Sequence, residues 1–405
     1  MKILYHHRTQ AEDGQAVHIR ALIRALRGEG HEVREVGLVE HGADRQERTG
    51  DKGRSRWGWV TRMPRFAREL AEYAYGGVAR HRLLKEAVWF EPDVIYERYA
   101  FGNTAGVSAA RKRRLPLVLE VNSPMVLELT RTRGLSFPGL ARKLEDWIFT
   151  SADLVCVVTG VLRDLLVEHG VPRERLLVTP NGVHLEAYDY EDRAAARAVA
   201  LRDLGLPAAS ERVVGFAGYY RDWHRLDVVL QAMTEAELKD ARFVLIGEGP
   251  ARESLEAEAA RLGVADRLHF AGVRPHDDIP RLLTAFDIAV VPAINEYASP
   301  LKLHEYMAAS LPVIAPDQPN LREVLDPDVH GLLVPPGDTD AMAASLLALG
   351  RDEGLRTRLA EAARARVLEL DLTWAANARR VVQAAEGLLS RTNAPQDPEA
   401  SQGAA

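Results

Sequence analysis

Residues 292–312 read Pro-Ala-Ile-Asn-Glu-Tyr-Ala-Ser-Pro-Leu-Lys-Leu-His-Glu-Tyr-Met-Ala-Ala-Ser-Leu-Pro, and their order decides the fold. The run Phe286-Asp-Ile-Ala-Val-Val-Pro292 just before reads as a buried strand. Asn295-Glu-Tyr-Ala-Ser-Pro300 has turn chemistry. Leu301, Leu303, Tyr306 and Met307, with Ala308 and Ala309, then fall at helical spacing. Ser299 suits the N-cap and Pro300 the first helical position. A second strand, Pro312-Val-Ile-Ala, follows at once. A helix starting over a strand tip presents free amides and its positive dipole end to a ligand, which makes an anion site. Lys302 adds a charge in the first turn, and Glu305 lies about one turn on, where a carboxylate accepts hydroxyls. The stretch therefore predicts recognition of a phosphate together with hydroxyl groups.

The pattern repeats outward. In the second half, strand-like runs begin at Arg212, Arg242, Leu268, Ile288, Val313 and Gly331, with helical segments between them. In the first half, Lys2-Ile-Leu-Tyr precedes a helix with Val17, Ile19, Leu22, Ile23 and Leu26 on one face, stopped at Gly28-Glu-Gly30. Further strands start at His31, Pro92, Leu115, Ala152 and Arg175. This is an α/β chain of two doubly wound, Rossmann-like halves facing a central cleft. The expected organisation is a first domain over 1–185, a second over 186–372, a terminal helix over 373–390 packing back on the first domain, and a disordered tail over 391–405. Ligands of open parallel sheets sit beyond the carboxyl ends of the strands. That rule puts His6, Arg98, Glu120 and Asn122 on one rim, near Gly14 and Gln15 of the first loop.

Composition narrows the function classes. The 405 residues are 47% hydrophobic and 27% charged, with a net charge of −6, which gives no reason to expect nucleic-acid binding. Cys156 is the single cysteine, so no internal disulfide forms and a reducing, cytoplasmic setting is expected. The N-terminus is too short and polar for a signal sequence, and no apolar run approaches the roughly 20 residues of a membrane span. No Cys/His cluster has zinc spacing. Asp326-Pro-Asp328 and Asp338-Thr-Asp340 read as turns, and no Ser/His/Asp nucleophile set is apparent. Residues 45–68 carry eight Arg or Lys with Trp57, Trp59, Met63 and Phe66 interleaved. They read either as a solvated loop running into the start of an amphipathic helix (Phe66, Leu70, Tyr73) or as a peripheral contact with the inner membrane face.

Two glycine turns border the predicted cleft. Gly218-Tyr-Tyr-Arg221-Asp-Trp-His224-Arg225 offers cationic donors to a phosphate. Gly247-Glu-Gly249-Pro is an incomplete Gly-x-Gly-x-x-Gly, so the dinucleotide fingerprint is absent.

With Pro180-Asn-Gly-Val, Phe216-Ala-Gly, Leu245-Ile-Gly-Glu-Gly-Pro, Leu268-His-Phe-Ala-Gly, Ser299-Pro-Leu-Lys-Leu-His-Glu-Tyr-Met-Ala and Gly331-Leu-Leu-Val-Pro-Pro-Gly in order, the second half resembles family-4 glycosyltransferases. These are retaining enzymes with the two-domain B-type fold. Asp13-Gly14-Gln15 with His18 is similar to the family's first loop and helix. The resemblance implies a nucleotide-diphosphate sugar donor, no cofactor or metal, and an acceptor hydroxyl entering from the first-half rim at Gly14, Gln15, His6, Arg98 and Asn122. It implies that Glu305 holds the ribose and that Ser299, Pro300, Leu301 and Lys302 hold the diphosphate. Gly218, Arg221 and His224 would lie beside the diphosphate, and Gly249, Val273 and Arg274 near the base and ribose. Three positions depart from the family pattern. Tyr297 replaces the first motif glutamate, leaving Glu296 beside it as the candidate. Asn122 replaces a histidine near the sugar, and His224-Arg225 replaces a basic-Gly pair. Glu296, Arg221 and Asn122 are accordingly the expected catalytic groups. The alternatives are a sugar-nucleotide epimerase of the same fold or a non-catalytic binder.

Overall fold

The computed structural model describes residues 1–9, 14–38, 64–207 and 212–393. Residues 45–63 of the basic, aromatic stretch and residues 394–405 of the tail lie outside these. Strands β1 (Lys2–His6), β2 (Glu32–Val36), β3 (Val94–Arg98), β4 (Leu117–Val121), β5 (Leu154–Val157) and β6 (Leu176–Val178) form one sheet in the order β2-β1-β3-β4-β5-β6. Strands β7 (Arg212–Ala217), β8 (Ala241–Ile246), β9 (Leu268–Gly272), β10 (Ile288–Val290), β11 (Val313–Pro316) and β12 (Leu332–Val334) form the other, in the order β12-β11-β10-β7-β8-β9. Every pairing in both sheets is parallel. All the strands read from sequence form, which is the expected α/β class. Parallel strands are covered on both faces, so they read as continuous apolar runs.

The first half carries helices α1 (Gly14–Gly28), α2 (Arg65–Phe90), α3 (Ala105–Arg113), α4 (Met125–Thr132), α5 (Pro138–Ser151) and α6 (Gly160–Glu168). The rest of the chain adds α7 (Arg193–Asp203), α8 (Asp227–Ala232), α9 (Arg252–Leu262), α10 (Ile279–Leu283), α11 (Leu301–Ala308), α12 (Pro319–Arg322), α13 (Thr339–Arg351), α14 (Glu353–Glu369) and α15 (Trp374–Asn393).

Helix α1 buries Ile19, Leu22, Ile23 and Leu26 in a cluster with Ile3, Tyr5 and Val118 of the sheet. Each such side chain contributes about 1.5–3 kcal/mol. The last helix, α15, adds Trp374, Ala378, Val381 and Ala385 to that same cluster, although it follows the second half in the chain. The strands entering and leaving the second half touch: the Val183 amide donates to Leu372 O at 3.0 Å and the Trp374 amide to Val183 O at 3.4 Å.

Helix α2 corrects one expectation. Phe66 and Leu70 face solvent, 53% and 50% exposed, while the buried face is Glu69, Gly76, Ala79, Leu83 and Ala87. The cause is polar. The Glu69 carboxylate accepts from the amides of Ser136 at 2.7 Å and Phe137 at 3.1 Å, which turns that face inward.

Candidate functional site

The helix over the strand tip forms, with a different cap. Ser299 Oγ accepts from the Asn181 amide at 3.1 Å, so Pro300 takes the cap position and the helix begins at Leu301. Leu303 N donates to Pro300 O, leaving the Leu301 and Lys302 amides without intrahelical acceptors. Tyr306 anchors this helix to the second sheet, its hydroxyl accepting from the Ala217 amide at 2.7 Å. Lys302 Nζ sits 3.8 Å from the Phe216 ring centroid and 3.5 Å from His224 Nε2. Burial lowers the Lys302 ammonium to about 7, against the opposing pull of Glu305. A β-carbon on Gly218, at φ +133°, would press within 3.3 Å of Lys302 Nζ, so the glycine keeps the lysine head accessible to a ligand.

His224 was expected as a cation, and the structure corrects this. Burial, then the charges of Lys302 and Arg221, pushes it down to about 2, so the ring is neutral. Its Nδ1 accepts from the Arg221 amide at 3.0 Å. A neutral ring that accepts at Nδ1 donates at Nε2. Nε2–H and the Lys302 ammonium are then two donors side by side, an arrangement that an anionic oxygen satisfies. The exposed Arg221 guanidinium lies 5.1 Å from the Tyr219 ring centroid and is engaged by no carboxylate among the described residues.

Glu305 is buried and accepts from His276 Nε2 at 2.8 Å. Gly249 stands against the Tyr220 carbonyl, where a β-carbon would come within 1.8 Å, so its part is to let two loops meet. Val273 is 60% exposed. Arg274 is turned away from the cleft and donates to Asp203 O at 3.1 Å, at the end of α7. The structure does not bring it to Lys302.

The loop before α11 reaches into the first half. Tyr297 is buried in the first-half apolar cluster with Leu119, Val121 and Val157, and its hydroxyl donates to Glu128 Oε1 at 2.7 Å. Its carbonyl accepts from Thr159 Oγ1 at 2.8 Å. Glu296 points outward, 3.6 Å from Arg131. Leu301 packs on the cluster around Trp374. Two further ties join the halves. Asn181 links His18 Nδ1, at 2.8 Å, to the Ser299 carbonyl. The Glu323 carboxylate accepts from the α6 amides of Gly160 at 2.8 Å and Val161 at 3.0 Å. Behind Ser299 and Pro300, on the face of α11 away from Lys302, lies a cavity of about 280 Å³ bordered by Thr159, His304, Asn320 and Arg380.

The first-half rim is assembled around Glu120. Tyr96 OH donates to it at 2.9 Å, His18 Nε2 lies at 3.1 Å, and Arg98 and Asn122 both donate to Oε1. Burial alone would raise the Glu120 carboxyl, but His18 and Arg98, with the hydrogen bonds of His18 and Asn122, hold it well below the usual carboxylate range. Arg98 and Asn122 are thus committed to Glu120. His6, expected on the rim surface, is 1% exposed and pairs with Glu97, which also accepts from the Gly106 amide at 2.9 Å. Gly14 opens α1, and Gln15 Oε1 lies 3.4 Å from Thr9 Oγ1.

Of the residues singled out in sequence, Gly218, His224, Leu301 and Lys302 come together, with Arg221 beside them and Glu305 one turn along α11. Glu296, Arg274 and His6 do not join them. Sequence reading missed His276, Glu128, Glu323 and the roles of His18 and Asn181. Only the Pro180-Asn-Gly-Val signature and the histidine in α1 offered a signal for any of them.

Two family descriptions match the chain: "Glycosyltransferase Family 4" over residues 13–187 and "Glycosyl transferases group 1" over residues 202–366. A D-inositol 3-phosphate glycosyltransferase of Xylanimonas cellulosilytica is 31% identical over 301 residues, covering 71% of this chain and 70% of that protein. A 2-deoxystreptamine glucosyltransferase of Streptomyces kanamyceticus is 28% identical over 215 residues, 51% of this chain and 54% of that protein. Among solved structures, Anabaena HepE in complex with UDP superposes with a TM-score of 0.72 at 17% identity, covering 96% of this chain and all of that one. Sucrose-phosphate synthase from Thermosynechococcus elongatus does so at 0.73 and 21%, with the same coverage.

Proposed function

The chain belongs to the group 1, family 4 glycosyltransferases, and from that premise we propose that it moves a hexosyl group from a nucleotide-diphosphate sugar to an acceptor hydroxyl with retention. The observation that carries this is the Lys302 ammonium 3.5 Å from His224 Nε2, in the first turn of a helix whose Leu301 and Lys302 amides have no intrahelical acceptor, with Glu305 one turn along. The amides and ammonium bind the diphosphate and stabilise the charge that develops as the glycosidic bond breaks. Arg221 adds an exposed cation at the rim. Glu305, oriented by His276, accepts the ribose hydroxyls. The complex of HepE with UDP on the same fold supports a uridine nucleotide. Among glycan, lipid-linked and small-molecule acceptors, the names of the D-inositol 3-phosphate and 2-deoxystreptamine enzymes support a small polyhydroxylated one. Transfer runs on protein cations and persists in chelator.

Titration with UDP, GDP and ADP tests the donor site. Wild type is expected to bind one of them, and Glu305→Ala to lose it by more than tenfold; wild-type affinity in that variant rejects the assignment. Product anomeric configuration by NMR tests retention, and inversion rejects it. A peripheral contact of residues 45–68 with anionic lipid rests on the sequence and on exposed Arg65 and Phe66. It predicts co-flotation with phosphatidylglycerol vesicles at low salt, and an unbound protein there ends it. No helix among the described residues is long and apolar enough to cross a membrane.

A further inference from the structure

The acidic groups on the cleft walls are almost all engaged. Glu120 is surrounded by Arg98, His18, Tyr96 and Asn122. Glu323 caps α6, and Glu305 is held by His276. Glu296 lies out in solvent beside Arg131. Glu128, one turn into α4, differs. Its Oε1 accepts from Tyr297 OH at 2.7 Å, and its Oε2 has no hydrogen-bond partner among the described residues. Tyr297 comes from the opposite half and is 3% exposed, so it fixes this carboxylate firmly. Burial, then the hydrogen bond and charge of Glu128, raises the Tyr297 phenol far above its ordinary range, so it remains a donor throughout the working pH range.

Direction follows from the same helix. With the ribose at Glu305 and the diphosphate at the Leu301 and Lys302 amides, the far end of the donor points back along the loop toward the first half. Tyr297 to Leu301 spans at most about 14 Å, a reach that a diphosphate and one sugar ring fill. Glu128 stands at the end of that path, just beyond the Asn122-Ser123-Pro124 turn that ends β4. We propose that Glu128 binds hydroxyls of the transferred sugar, so that the sugar is gripped by a carboxylate from the first half, oriented by Tyr297 from the second. The grip is complete only when the halves are closed on each other. A fixed carboxylate with one oxygen occupied presents the other to a sugar hydroxyl in a defined direction. This inference rests on the nucleotide-sugar reading above.

The test compares each nucleotide with its sugar conjugate. Wild type, Glu128→Gln and Tyr297→Phe are titrated with UDP, UDP-glucose, UDP-galactose, UDP-N-acetylglucosamine, GDP, GDP-mannose, ADP and ADP-glucose. For the conjugate that wild type binds tightest, Glu128→Gln is expected to weaken binding at least tenfold while the parent nucleotide changes less than twofold. Tyr297→Phe, which keeps the apolar cluster filled, is expected to weaken the conjugate about threefold and leave the nucleotide alone. Equal weakening of nucleotide and conjugate in Glu128→Gln would mean that the residue only holds the halves together, and would overturn the proposal. Unchanged conjugate binding overturns it too. If wild type binds none of these ligands, the donor reading fails first and this inference with it.

Discussion

On the first-half wall of the cleft, Arg98, His18, Asn122 and Tyr96 converge on one carboxylate, Glu120. On the second-half wall, Lys302 Nζ lies 3.5 Å from His224 Nε2 at the start of α11, and neither Lys302 nor Arg221 forms an ion pair among the described residues. Both walls are lined by residues that sequence reading assigns to ligands. The difference lies in whether their partners are already inside the protein. A charge cluster that is internally matched holds its own members in place and offers little to a ligand. A cluster of donors with no internal acceptor is less stable without one and gains most on binding. The matched cluster around Glu120 therefore reads as framework that positions its neighbours, and the unmatched donors around Lys302 carry the proposed diphosphate contact.

The comparison breaks most visibly at Glu120. Glu120→Ala leaves buried Arg98 without its counter-charge, a loss of about 3–5 kcal/mol. Thermal unfolding should fall by roughly 6–20 °C for a unit of this size; an unchanged midpoint would contradict the framework role. On the opposite wall the reverse is expected. Lys302→Ala should leave the unfolding midpoint near wild type but weaken nucleotide binding by about 1.5–3 kcal/mol, or roughly 10- to 150-fold. Its wild-type parent should also show a pH signature. The free-protein Lys302 is lowered to about 7 by burial, so it loses its proton above that pH, whereas the donor needs it charged. Affinity for a nucleotide sugar is then highest below pH 7 and declines above it, up to about tenfold per pH unit. A flat profile between pH 6 and 9 would remove Lys302 from the diphosphate. Neutral His224 adds no step in that window. The smallest effect is expected at Glu296, exposed beside Arg131. Glu296→Gln should change turnover less than about twofold, the range of an exposed ion pair. A large loss would restore it as a catalytic group.

The strands and the helix start at Leu301 are legible in sequence because apolar period, glycine turns and strand-to-helix spacing are local signals. The Lys302–Glu305 spacing is legible for the same reason, since three residues on one helix fix their own geometry. What sequence conceals is pairing at long range. The strand-end rule puts Arg98 and Glu120 on one rim, but nothing near Glu120 announces that His18 will meet it, or that Tyr297 will leave its own half to reach Glu128. The charge state of His224 is hidden in sequence because it depends on enclosure by Phe216, Trp223 and Lys302. That Tyr297 turns inward while Glu296 faces solvent depends on an apolar pocket in the opposite half that accepts an aromatic ring. The exposure of Phe66 and Leu70 is hidden for a related reason, since helical spacing reports a stripe and not which stripe a buried Glu69 will claim.

The return of α15 to the first half has a consequence for how the protein is made. Trp374, Ala378, Val381 and Ala385 belong to the core that Ile3, Tyr5 and Ile19 begin. A ribosome adding roughly 5–20 residues per second delivers the first sheet tens of seconds before that helix. During that interval the face of α1 that α15 will cover stands open. The two core clusters of the second half hold no residue beyond Leu372 and can finish first. The half that starts synthesis is thus the last to be sealed, and agents that shield apolar surface on nascent chains have their natural target on α1.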